Sequence, residues 1–370
     1  MTSQSDLLLK VLQQPEMLLS LRMAEWDRML PLARRTNLLG RLAARAQEGG
    51  LLTELPPGPQ WHLRSSDVAT AHNQRAIRWE IRCIERALHG IETPMVLLKG
   101  AAYLVSSLPP ARGRICADVD LLVKKEAISA VETALRQYGW KTEPIRPLDE
   151  KNFRATLHEL PPMIHQNHDG ELDVHHNILP ATDTLRVDPA KLLEAAIPLA
   201  PATRFSILAP CDMVLHNAAH MFRNGRFQYG LRDLVDLDDL LRHFSASPGF
   251  WDRLVARAAE LDLKIPFFWG LRYAERFLAT PVPELTGAIV REWRPILPPL
   301  CVMDRLIEQA VLPPENGNEG LPQRFSRRVL GLYPIPRLSA MASPVFWLKR
   351  FPWPRKTVET PAEQCVLALN

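Results

Sequence analysis

The sequence predicts an α+β fold, with a small mixed sheet and its flanking helices embedded between N-terminal and C-terminal helical regions. Two observations lead there. Apolar residues recur at helical spacing before about residue 50 and again after about residue 205. Between 94 and 180 they fall instead into short β-type runs, MVLL, DVDLLV and ELDVHHNI.

Taken in order, Leu7, Leu8, Val11, Leu12, Leu18, Leu19, Leu21 and Met23 indicate several packed helices between Asp6 and about Gly49, ended by LPPGPQ at 55–60. A stretch from about Ser66 to Gly90, free of Pro and internal Gly, reads as one helix with Gly90 at its C-terminal end. MVLL (95–98) is a strand closing in Lys99-Gly100. The loop PPARGRICA leads to the second strand, DVDLLV (118–123). In KKEAISAVETALRQYG, the residues Ile128, Val131, Leu135 and Tyr138 share a helical face, and Gly139 is the stop. NFRATLHEL, MIHQN and ELDVHHNI read as antiparallel strands, the last two joined at Asp169-Gly170. CDMVLHNAAHMF and YGLRDLVDLDDLLRHF are amphipathic helices, with more helices from about Phe250 to Leu278 and from Thr286 to about Leu312. The expected division is 1–93 helical, 94–200 α/β, 201–312 helical, and 313–370 a C-terminal wrap rich in Pro, Arg and Trp.

Composition narrows the function classes. With 370 residues, 46% of them apolar, the chain can build substantial cores. Lys plus Arg (45) barely exceeds Asp plus Glu (41), so a nucleic-acid partner is not favoured, although Arg324, Arg327, Arg328, Lys349, Arg350, Arg355 and Lys356 concentrate basic charge late. Cys83, Cys116, Cys211, Cys301 and Cys365 have no paired spacing, which argues against a disulfide framework or a cysteine zinc site and for a reducing cytoplasm. No secretory signal and no membrane span is read in the sequence.

The chemistry concentrates on carboxylates. On a strand, residues i and i+2 share a face, so Asp118 and Asp120 project together. Glu171, Asp173, His175 and Asn177 do the same in ELDVHHNI, and pairing of the two strands would add Asp173 as a third carboxylate. Three such groups suit Mg²⁺, with Mn²⁺ as a substitute. Solvated acids at a strand end are the competing reading. Gly100 allows close backbone approach to a phosphate, Lys99 can pair with phosphate charge, and Arg114 can bind phosphate or neutralise the aspartates. His216 and His220, at i and i+4 with Arg223 continuing their face, lack the glutamate of an HExxH zinc motif, so a packed pair competes with a metal site. His158, His165 and His168 are expected at strand or turn surfaces.

LLKGAAYL, an arginine, ADVDLLV with a helix after it, and ELDVHHNIL, in that order, resemble the uncharacterised nucleotidyltransferase family of the DNA polymerase beta-type superfamily. LHNAAHMF…LRDLVDLDDLL resembles that family's helical segment, with His216, His220 and Asp236 at the matching positions, and FWLKRFPWP agrees more weakly. The resemblance implies a nucleotidyltransferase-type sheet and transfer of an NMP group from an NTP to an acceptor hydroxyl or phosphate. It also implies a two-Mg²⁺ mechanism on Asp118, Asp120 and Asp173. Lys99, Gly100, Arg114 and His175 become the nucleotide-binding set, and His216, His220 and Asp236 the candidates for an inter-domain cleft. The usual glycine-serine turn reads Gly100-Ala101 here, which removes a hydroxyl from the triphosphate grip. The acceptor, whether small molecule, peptide or protein, is not specified. A metal-dependent phosphoester hydrolase and a non-catalytic nucleotide- or protein-binding relative are the alternatives.

Overall fold

The computed structural model describes residues 4–142, 157–168, 170–199, 203–223, 227, 229–296, 299–312 and 320–331. Part of NFRATLHEL, residue Asp169, the segment FWLKRFPWP with its basic residues, and Cys365 lie outside these. Four helices come first: α1 (Gln4–Gln13), α2 (Met23–Arg35), α3 (Leu39–Glu48) and α4 (Pro57–Ala87). Helix α4 begins inside LPPGPQ, earlier than the expected start near Ser66. The prolines there fit a first helical turn, where no backbone N–H is required. It ends at Ala87 with Leu88 as its cap, short of Gly90.

The sheet comprises β1 (Met95–Leu98), β2 (Val119–Val123), β3 (Trp140–Thr142), β4 (Met163–His165), β5 (Glu171–His175), β6 (Ile197–Pro198) and β7 (Phe205–Ile207). Their order is β3-β4-β5-β2-β1-β7-β6. Strands β1 and β2 lie at the centre and are buried along their whole length, which is why both read as near-continuous apolar runs. Strand β2 runs antiparallel to β1 and parallel to β5. MIHQN and ELDVHHNI do pair antiparallel, as β4 and β5. Of the expected NFRATLHEL strand, the described part contributes one isolated bridge, Glu159 to His175. Strands β3, β6 and β7 are too short, at two or three residues each, to announce themselves by alternation.

Helices α5 (Lys99–Val105), α6 (Ile128–Gln137) and α7 (Pro189–Glu194) flank the sheet. Helix α5 starts at Lys99, directly after β1, so Lys99-Gly100, read as the close of the strand, opens a helix. The later helices are α8 (Pro210–Arg223), α9 (Gly230–Phe244), α10 (Phe250–Glu260), α11 (Lys264–Leu278), α12 (Glu284–Glu292), α13 (Leu300–Val311) and α14 (Leu321–Gly331). On α11 the i, i+4 series Trp269, Tyr273 and Phe277 stacks ring on ring at 5.9 and 5.8 Å, and Phe222 of α8 joins it at 5.9 Å from Tyr273. One apolar core runs from Leu8 in α1 through the central strands to Leu330 in α14. No helix among the described residues is long and apolar enough to cross a membrane.

Candidate active site

The strand register sets the site. Asp120 lies opposite Asp173 across the parallel β2–β5 pair and opposite Leu98 across β1–β2, and the chain turns out of β1 at Lys99, whose side chain comes back to Asp120. Lys99 Nζ donates to Asp120 Oδ1 at 2.8 Å. His175 Nε2 lies 2.9 Å from the same oxygen, and its Nδ1 lies 3.1 Å from Glu159 Oε2. Asp120 and His175 are buried, whereas Asp118, one residue before β2, and Asp173 are half-buried.

These contacts decide the charges. Burial alone would push the Asp120 carboxyl up, but Lys99 and His175 outweigh it and hold the group well below the usual carboxylate range. Burial likewise opposes a charged Lys99, and Asp120 and Asp118 more than restore it. Asp118 is pushed up by burial and by Asp120, against Lys99 and Arg114. Asp173 goes further: burial first, then Asp120, raise it to about 7. Its Oδ1 is buried without a hydrogen-bond partner. Ligand atoms of Asp120, Asp173 and His175 lie within 4.8 Å of one another, a spacing that one cation can bridge. The unpartnered oxygen and the two carboxylates of this set fit a hard divalent ion; the third member is His175, where the sequence suggested Asp118.

Lys99 also carries backbone strain. Its φ of 45° lies in the left-handed region that side chains disfavour, and it opens α5. Gly100 behind it is required for a different reason than phosphate approach. A Cβ there would stand 2.2 Å from Arg114 Nη1 and 2.7 Å from Cys116 Sγ.

Arg114 departs from its expected role. It is buried, and its Nε donates to Asp236 Oδ2 at 2.8 Å, so its guanidinium serves an interior ion pair in place of a nucleotide phosphate. Asp236 departs too: it is 1% exposed, and its second oxygen accepts from Arg41 Nη2 at 3.0 Å, which leaves it inside the core rather than in a cleft. Both ring nitrogens of His175 face carboxylates, so the expected nucleotide contact has no ring nitrogen to use in this arrangement.

His216, on α8, is buried close enough to the site that, after burial itself, Lys99 is the main influence lowering it to about 3. It therefore remains a neutral imidazole beside the carboxylates. His220 is half-buried with its ring 6.4 Å from that of His216, and Arg223 pairs with Asp183 and Thr184. The expectation of surface positions for three histidines is corrected: His158 and His165 are buried, and His168 is half-buried with its Nδ1 3.1 Å from Glu80 Oε2. Glu159, which the sequence reading passed over, supports His175. Its only signal in the sequence was an acid beside a histidine in TLHEL.

The sequence model of a family described as uncharacterised nucleotidyltransferase matches residues 22–279, which take in α2 to α4, the sheet and the helices through α11. No curated protein and no solved structure matches the chain.

Proposed function

Because the chain belongs to the uncharacterised nucleotidyltransferase family, we propose that it moves a nucleoside monophosphate from an NTP to an acceptor hydroxyl or phosphate at the Asp118, Asp120 and Asp173 cluster. The observation that carries this reading is the register that sets Asp173 against Asp120, with a buried oxygen of Asp173 left unpartnered. Bound Mg²⁺ would supply positive charge to the phosphoryl oxygens and acidify the acceptor oxygen. Asp118, Asp120 and Asp173 would hold it.

The chain's own groups do the rest. The acceptor oxygen attacks the α-phosphorus, the bond to the bridging oxygen breaks, and pyrophosphate leaves with that electron pair. Asp173, set against Asp120, would help to draw the proton from the acceptor oxygen, and the proton passes to solvent. Lys99 holds Asp120 Oδ1 in place through a charge-assisted hydrogen bond. His216, a neutral imidazole beside these groups, would adjoin the site without adding charge. The helical segments before and after the sheet would select the acceptor, a small molecule, peptide or protein.

Incubation of the full chain with each of the four α-³²P-labelled NTPs and cell extract, read as label transferred with Mg²⁺ or Mn²⁺, tests the proposal. Asp118→Asn and Asp120→Asn are expected to lose at least about 10²-fold of the transfer rate while keeping the wild-type circular dichroism. Undiminished transfer by the double variant would rule out these carboxylates. Nucleotide binding without transfer to any fraction would favour the non-catalytic relative, and phosphoester cleavage without an acceptor the hydrolase.

A further inference from the structure

A second donor set stands against the first. His158, Glu159 and His175 present ligand atoms within 4.8 Å of one another. All three are enclosed, with 5%, 9% and 4% of their surface exposed. Backbone hydrogen bonds on either side fix this juxtaposition: Leu160 N donates to Val174 O and His176 N to His158 O, both at 2.8 Å. Glu159 Oε2 lies 3.1 Å from His175 Nδ1 and 3.7 Å from His158 Nε2. The two imidazole rings are 5.5 Å apart and tilted by 32°.

Counting protons makes the arrangement informative. A neutral imidazole carries one N–H, yet His175 has a carboxylate oxygen at each ring nitrogen, Asp120 on one side and Glu159 on the other. A second ring proton or a cation on the Glu159 side would each answer both carboxylates, and the His158 imidazole against Glu159 supplies the further donor that a cation would use. His175 would then ligate through the Nδ1 lone pair and donate Nε2–H to Asp120, the carboxylate–histidine–metal geometry that orients metal-bound imidazoles. Two imidazoles and one carboxylate suit a borderline transition ion of the Zn²⁺ type, whereas Mg²⁺ favours oxygen donors throughout.

We propose that His158, Glu159 and His175 form a binding site for one transition-metal ion of the Zn²⁺ class, separate from the Asp118, Asp120 and Asp173 cluster, with Asp120 as the outer carboxylate of His175. Occupancy fixes the His175 tautomer, and through it the orientation of Asp120. The site shares His175 with the Asp120 and Asp173 grouping but does not depend on nucleotidyl transfer.

The experiment is metal titration of the EDTA-stripped full chain. Co²⁺ is followed by its visible d–d absorption and Zn²⁺ by calorimetry and by displacement of Co²⁺. One equivalent is expected to bind in the wild type and in Asp118→Asn, with affinity at least about tenfold weaker in His158→Gln and Glu159→Gln. No saturable binding by the wild type overturns the proposal. So does unchanged affinity in both ligand variants, or binding lost in Asp118→Asn, which would place the ion among the aspartates. Loss of a buried ligand can unfold the chain, so NMR of the Co²⁺-loaded wild type supplies an independent reading. Two exchangeable, paramagnetically shifted imidazole N–H signals are expected; none or one overturns the site.

Discussion

Glu80 shows what enclosure does to a single charge. It projects from α4 toward the β4–β5 turn, 5% exposed, so close to the backbone that a Cβ on Gly170 would stand 2.3 Å from its Oε2. His168 faces it, with Trp79 and Trp140 edge-on to that imidazole and His165 stacked on it at 3.6 Å. Burial raises the Glu80 carboxyl from 4.5 to about 7. The folded state thus holds this proton more tightly than the unfolded chain, and stability is lost as pH climbs between 4.5 and about 7. Glu80→Gln removes that dependence. Urea unfolding at pH 8 should favour the variant by on the order of 3 kcal/mol relative to the same comparison at pH 4.5. Parallel stability profiles for the two proteins would reject the assignment. Nothing in the sequence around Glu80 announces this, because an acid in a long helix is usually solvated; only the return of the chain at Gly170 buries it.

Among elements, a buried ion network joins α3, the loop before β2 and α9. Arg41 donates to Asp236 Oδ1 at 3.0 Å and to the carbonyls of Pro109 and Pro110 at 2.6 Å each, and Arg114 closes the other side of Asp236. Asp236→Ala would strip the enclosed Arg114 guanidinium of its carboxylate, while Arg41 keeps Asp239 at 2.8 Å and the two carbonyls, at a cost of about 3–5 kcal/mol in chemical denaturation. A loss under about 1 kcal/mol would mean that the arginines find solvent or other acceptors. The network also explains why the roles of Arg114 and Asp236 were misread. Arg41 and Asp236 are 195 positions apart, and Arg114 and Asp236 are 122 apart, so their pairing leaves no local pattern. The facing of Asp120 and Asp173 was legible because strand alternation fixes which side chains share a face and a parallel neighbour needs only one register. Glu159 was not, since its link to His175 is one bridge outside any regular strand.

At the scale of the molecule, the helical spacing before about residue 50 and after about 205 located the helices that enclose the sheet, and the apolar runs located its centre. What spacing could not convey is that these regions share one core, from Leu8 through Leu97 and Leu121 to Leu330. A core without internal seams implies unfolding as a unit. Calorimetry and circular dichroism in the near and far ultraviolet should report one coincident thermal transition; two separated transitions would show that the helical regions melt apart from the sheet.

The strained turn at Lys99 bears on how this protein could be engineered. At a φ of 45°, glycine would relieve roughly 1–2 kcal/mol of backbone conflict, so a design seeking only a more robust scaffold would choose glycine there. That choice would also strip the ammonium from Asp120 Oδ1. The position therefore sets thermal robustness against a charged site, and stabilising campaigns that treat backbone strain as a defect should leave it untouched.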